Sequence, residues 1–128
     1  MRVDFHCHST ASDGTVAPGE LARTAIARGY RAFALTDHDN TDGIAELMGQ
    51  GTPSSPTSFY DGVELSIEPG EGFDLFHLLA IGIDCESPAL KALLARVLEG
   101  RNARNNRIVS NFSRLGIDLP SGDLARYA

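Results

Sequence analysis

The chain has 128 residues, a formal net charge of −6 and a hydrophobic fraction of 42%. That suits one compact domain and not a membrane-spanning one, because no apolar run nears the roughly 20 residues that a bilayer crossing requires. The acidic balance excludes a general binder of duplex nucleic acid. Two cysteines, Cys7 and Cys85, are too few for a disulfide framework, and without a charged and apolar leader the expected location is the cytoplasm.

The segment from Arg2 to His6 reads as a short strand in which Val3 and Phe5 alternate with Asp4 and His6. If extended backbone continues, His6 and His8 share a face and Cys7 points the other way, as a small core residue. Pro18, Leu21, Ala22, Ala25 and Ile26 then mark a helix, with proline in its first turn and Gly29 closing it. The next run, "RAFALTDH", is an apolar strand ending in polar residues. Strand, helix and strand with short joints predict parallel pairing, with site residues at the C-terminal strand ends. His6 and His8, and then Asp37 and His38, fall at such ends.

A brief helix capped by Thr41 is expected from Thr41 to Met48, and "GQGTPSSPTS" reads as a loop. The runs "FYDGVELSI" and "FDLFHLLAIGID" are two strands joined by "EPGEG", predicting an antiparallel pair. From Ser87 onward, Leu90, Leu93, Leu94, Val97 and Leu98 mark one helix face that continues through Ile108, Val109 and Phe112. Gly100 falls mid-helix, costs about 1 kcal/mol relative to alanine and marks a place for a break or kink.

Charge is unevenly spread. No lysine or arginine occurs between Ala32 and Leu90, where Asp37, Asp39, Asp42, Asp61, Glu64 and further acids accumulate, so that half attracts cations. From Lys91 to Arg114 the sign reverses, with Arg96, Arg101, Arg104 and Arg107 set against Glu99 alone. That run is either a solvated helix face or an anion-contacting one.

Four segments carry candidate ligands: His6, His8 and Asp13; Asp37 and His38; Glu64; and His77. Each alone is weak, since a lone histidine on a strand, such as His77, is more often a hydrogen-bonded core residue. Convergence raises their weight, because strand ends in a parallel sheet lie side by side. Imidazole with carboxylate suits divalent zinc, manganese or iron, and the lack of a cysteine cluster argues against a closed structural zinc site.

Taken in order, "DFHCHSTASDG", "ALTDHDNTDG", "GVELS" and "HLLAIGID" resemble the start of a PHP domain, the polymerase and histidinol phosphatase family, in its stand-alone phosphoesterase branch. The resemblance implies an α/β fold, the N-terminal part of a distorted (β/α)7 barrel, with two or three divalent ions (Mn, Zn or Fe) at the strand ends. By it, His6, His8 and Glu64 hold a first ion, Asp13 and His38 a second, and a bridging Glu64 with His77 a third. Gly14 would relax the turn that returns Asp13 to the strand end. Asp37 would orient His38 or a neighbouring ligand. Arg101, Asn102 and Arg104 would contact substrate phosphate, and Glu64, His38, Arg101 and Arg104 would carry catalysis.

The implied activity is hydrolysis of a small phosphomonoester by metal-activated water, on substrates such as nucleoside 3',5'-bisphosphates or short RNA ends. The family's later histidine region and Asp-x-His motif have no counterpart here, since no histidine follows His77. A closed barrel of this kind takes roughly 200 residues or more. Residues 1–128 are therefore expected to form the N-terminal portion of such a domain, in a longer enzyme or a shortened relative. The alternative is a truncated module that binds metal or a partner without catalysis.

Overall fold

The structure is a computed structural model describing residues 1–49, 56–67, 70 and 74–119. It divides into two compact units, Met1–Ser87 and the segment from Pro88 on.

In the first unit, strand β1 (Arg2–Asp4), helix α1 (Pro18–Ala27), strand β2 (Tyr30–Leu35), helix α2 (Asp42–Gly49), strand β3 (Ser58–Ile67) and strand β4 (Phe76–Ile81) follow one another. The sheet order is β1-β2-β3-β4. The first two pairings are parallel and the β3/β4 pairing is antiparallel, as the strand–helix alternation and the single turn-rich joint predict. Most of the expected loop "GQGTPSSPTS", and most of "EPGEG", lie outside the described residues.

Local chemistry accounts for the helix ends. Pro18 opens α1, where its missing N–H costs no hydrogen bond, and Glu20 places negative charge in the first turn. The chain leaves α1 through Gly29 at φ 71°, a left-handed conformation that glycine adopts without steric penalty. Thr41 accepts backbone hydrogen bonds from Ile44 and Ala45 at the start of α2.

The core is formed by Ala25, Phe33, Leu35 and Ile44, with Cys7, Leu21, Tyr30, Phe59 and Cys85 packed around it. Phe33 and Phe59, neighbours across β2 and β3, meet edge to face with centroids 5.7 Å apart. Consecutive burial of Phe33, Ala34 and Leu35 shows β2 covered on both faces, the usual condition of a central parallel strand.

The second unit contains helix α3 (Pro88–Arg114), which runs unbroken through Gly100. The helix is continuous at the place that Gly100 marked for a break: the roughly 1 kcal/mol cost of one glycine is outweighed by propagation over 27 residues. On the expected apolar face, Leu90, Leu94 and Val97 are half-buried, whereas Leu93 and Leu98 are exposed. Among the described residues no helix is long and apolar enough to cross a membrane.

Candidate metal centre

Backbone pairing continues past the strand ends and delivers the site. Beyond β1 and β2, the Thr36 N–H donates to the Cys7 carbonyl at 2.9 Å, and the Cys7 N–H donates to Thr36 Oγ1 at 3.0 Å. Extended alternation there turns Cys7 to the core and leaves His6 and His8 to converge on the opposite side. Further along, the Glu64 N–H donates to the Asp37 carbonyl at 3.2 Å and the Asp39 N–H to the Glu64 carbonyl at 3.0 Å. His38 thereby pairs in parallel with Glu64. Across the antiparallel joint, Ser66 pairs with His77.

Three segments distant in sequence thus place four imidazoles about one carboxylate. Glu64 Oε2 lies 2.8 Å from His6 Nε2, 2.9 Å from His8 Nε2 and 3.7 Å from His38 Nδ1. Its other oxygen, Oε1, lies 3.0 Å from His77 Nδ1. The second carboxylate, Asp13, stands 3.3 Å from His8 Nδ1 and 3.8 Å from His38 Nε2. The rings follow one another at centroid spacings of 5.0 Å (His6 to His8), 4.6 Å (His8 to His38) and 4.8 Å (His38 to His77).

Among the described residues donor atoms converge in three overlapping groups: His6, His8 and Glu64; His8, Asp13 and His38; and His38, Glu64 and His77. All six residues expected as ligands are included. His8 and His38 each join two groups, one ring nitrogen facing each carboxylate, which the sequence reading did not anticipate.

The donor set fits divalent cations on its own chemistry. His8 Nδ1 and His38 Nδ1 are buried without a hydrogen-bond partner, a state that costs free energy and that a bound cation would relieve. Glu64 is nearly inaccessible, its side chain only 6% exposed. Burial pushes its carboxyl pKa up, but the hydrogen bond from His6 and the charges of His38, His6 and His77 outweigh this and hold it below the ordinary glutamate value. A carboxylate kept ionised among imidazole nitrogens is what zinc, manganese or iron selects. Cys7 lies in none of the groups, and burial, with Asp4 and Asp37 adding to it, raises its thiol pKa and keeps it protonated.

Asp37 holds the Asp13 loop and not the His38 ring. The buried Asp37 carboxylate accepts the Ser9 N–H at 2.7 Å, the Ser9 hydroxyl at 2.7 Å and the Ser12 hydroxyl at 2.7 Å. The candidate donor residue next to this clamp is Asp13, which follows Ser12 in the chain. Gly14 serves by close approach: a Cβ there would sit 2.3 Å from the His8 carbonyl oxygen. Asn40 adds a second tie, its amide donating to the Ala11 carbonyl at 3.0 Å and to the His38 carbonyl at 2.9 Å. Ser9, Ser12 and Asn40 escaped the sequence reading; the signal present for Asn40 was the Asx-rich run "TDHDNTDG", whose turn character the Asn40 bond to the Asp42 N–H bears out.

Arg101, Asn102 and Arg104 lie on α3 in the second unit, Arg101 half-buried and the other two exposed. Arg101 and Arg104 are three residues apart, so they occupy one side of the helix.

Comparisons with known proteins place these features in a wider set. The PHP domain family model matches residues 4–106. Over 119 residues the chain is 38% identical to a 3',5'-nucleoside bisphosphate phosphatase of Chromobacterium violaceum, covering 90% of this chain and 39% of that protein. It is 35% identical over 119 residues to a 5'-3' exoribonuclease of Haemophilus influenzae, covering 91% of this chain and 41% of the relative. A solved amidohydrolase structure from C. violaceum, with bound sulfate and no metal, matches at a TM-score of 0.76 and 35% identity, over 100% of this chain and 44% of that one. The chain spans about two fifths of the length of the curated relatives it matches.

Proposed function

The chain belongs to the PHP domain family, and from that premise we propose that it is the metal-binding N-terminal portion of a phosphoesterase that hydrolyses small phosphomonoesters. The observation that carries the reading is the set of three overlapping donor groups built from four histidines and two carboxylates. Two or three divalent ions, Mn, Zn or Fe, would be held by His6, His8, Asp13, His38, Glu64 and His77. When bound, such ions polarise phosphoryl oxygens and lower the pKa of a bound water towards about 7.

The chain's own residues supply the rest. Glu64 and His38, each common to two groups, fix the spacing between them. Asp37, through Ser9 and Ser12, holds the loop that carries Asp13. Arg101 and Arg104 would take the non-bridging oxygens of the substrate phosphate and stabilise the negative charge that builds there, with Asn102 as a further hydrogen-bond donor. No serine or cysteine nucleophile is required, in keeping with the protonated thiol of Cys7.

Nucleoside 3',5'-bisphosphates and short RNA 5' ends are the proposed substrates, by analogy with the names of the two curated relatives. The test is phosphate release from adenosine 3',5'-bisphosphate with Mn, Zn or Fe supplied to the purified chain. Release abolished by chelation and by His38→Ala supports the reading. Full metal uptake without release from any phosphomonoester would favour the non-catalytic module.

A further inference from the structure

We infer that Asp39 is a positioning residue whose side chain replaces a backbone carbonyl at the end of the β2/β3 ladder and thereby sets the His38, Glu64 and His77 group. The inference rests on the metal-centre reading and adds to it a residue that contributes no donor atom to any of the three groups.

The pattern of hydrogen bonds carries the argument. In a parallel ladder, donors and acceptors alternate between the two strands. Here the Glu64 N–H goes to the Asp37 carbonyl and the Asp39 N–H to the Glu64 carbonyl. The next bond in the series would run from the Ser66 N–H to the Asp39 carbonyl. At Asp39, however, the backbone leaves extended geometry for φ 54°, which no other non-glycine residue adopts among the described residues. The Ser66 N–H is received by Asp39 Oδ1 instead, at 2.8 Å.

This substitution has two consequences. The chain turns away one residue after His38, which lets Asn40 reach the Ala11 carbonyl on the Asp13 loop. At the same time Ser66 stays anchored, and Ser66 is the residue paired with His77. His38 is thus clamped between two bonds on one edge of β3, while the opposite edge presents His77. Left-handed backbone at a non-glycine residue is disfavoured by about 1 to 2 kcal/mol, less for aspartate, and persists where its surroundings fix it. Asp39 is 6% exposed, which is consistent with such fixing.

Two substitutions separate the acceptor from the backbone conformation. Asp39→Asn keeps a carbonyl oxygen and tolerates the left-handed turn, whereas Asp39→Gly keeps the turn and removes the acceptor. Apo protein would be titrated with Co(II) and followed by visible absorption, with circular dichroism confirming that each variant is folded. The expected result is wild-type binding in Asp39→Asn and, in Asp39→Gly, a loss of about 10- to 100-fold at one site, the range typical of outer partners of metal ligands. In a His77→Ala background the Asp39→Gly effect should vanish, because both changes disable the same group.

Wild-type binding in Asp39→Gly, an equal loss in Asp39→Asn, or an undiminished Asp39→Gly effect beside His77→Ala would each overturn the inference alone. Failure of the wild type to take up Co(II) would overturn the metal-centre reading and the inference with it.

Discussion

His6 and Glu64 are 58 residues apart in the chain, and His6 Nε2 lies 2.8 Å from Glu64 Oε2. Among the described residues Glu64 is the one carboxylate shared by two of the three donor groups. Glu64→Gln removes its negative charge while keeping its size, so it should weaken metal binding more than alanine at His6, His8, His38 or His77 taken singly. The loss should exceed the roughly 10- to 100-fold typical of an outer-partner change. Elemental analysis after dialysis reads it directly; full metal content in Glu64→Gln would reduce Glu64 to a structural residue.

The depressed pKa of Glu64 makes the metal-free protein sensitive to acid. A carboxyl with a folded-state pKa below its unfolded value contributes stability that is complete above the unfolded value, about 4.3, and is lost as pH falls through the folded one. Urea midpoints of apo wild type should therefore fall more steeply than those of apo Glu64→Gln below about pH 4.3. Parallel curves for the two proteins would contradict the ionised, imidazole-paired state of Glu64.

Two glycines should respond with opposite signs to alanine. A Cβ at Gly43 would lie 2.4 Å from Asp37 Oδ2 and 2.9 Å from Ser9 Oγ, inside the buried clamp on the Asp13 loop. Gly43→Ala should cost about 1 to 3 kcal/mol and lower metal affinity with it. At Gly100 no atom lies within 4 Å of an added Cβ, and Gly100→Ala should stabilise α3 by up to about 1 kcal/mol. Chemical denaturation followed by circular dichroism measures both.

If Arg101 holds substrate phosphate, Arg101→Ala removes about 1.5 to 3 kcal/mol of charge-assisted hydrogen bonding, a loss on the order of 10- to 100-fold in kcat/KM at unchanged metal content. Arg114, exposed in the last turn of α3, should change the rate little, because exposed charges contribute less than about 1 kcal/mol. Steady-state kinetics on the two variants decides it. Equal, small effects would make the basic run a solvated face.

Features fixed by local covalent geometry were legible in the residues themselves. Strand alternation is a property of neighbouring residues, so the common face of His6 and His8, and the inward turn of Cys7, followed from three positions. Pro18 and Gly29 bracketed α1 for equally local reasons, and the turn chemistry between β3 and β4 implied their antiparallel pairing. The order of four short motifs was enough to bring six ligand candidates together in expectation.

Relations between distant segments were decided only by the tertiary structure. Nothing near Asp37 indicates that its acceptors take up Ser9 and Ser12, 28 and 25 residues away, in place of the adjacent imidazole. Nothing near Asp39 indicates that its side chain stands in for its own carbonyl towards Ser66, because that depends on which strand lies alongside and where the ladder ends. The double membership of His8 and His38, and the space that Gly14 and Gly43 leave open, have the same origin. Hydrogen bonds and steric contacts act over a few ångströms of space, and only folding determines which residues come within that reach.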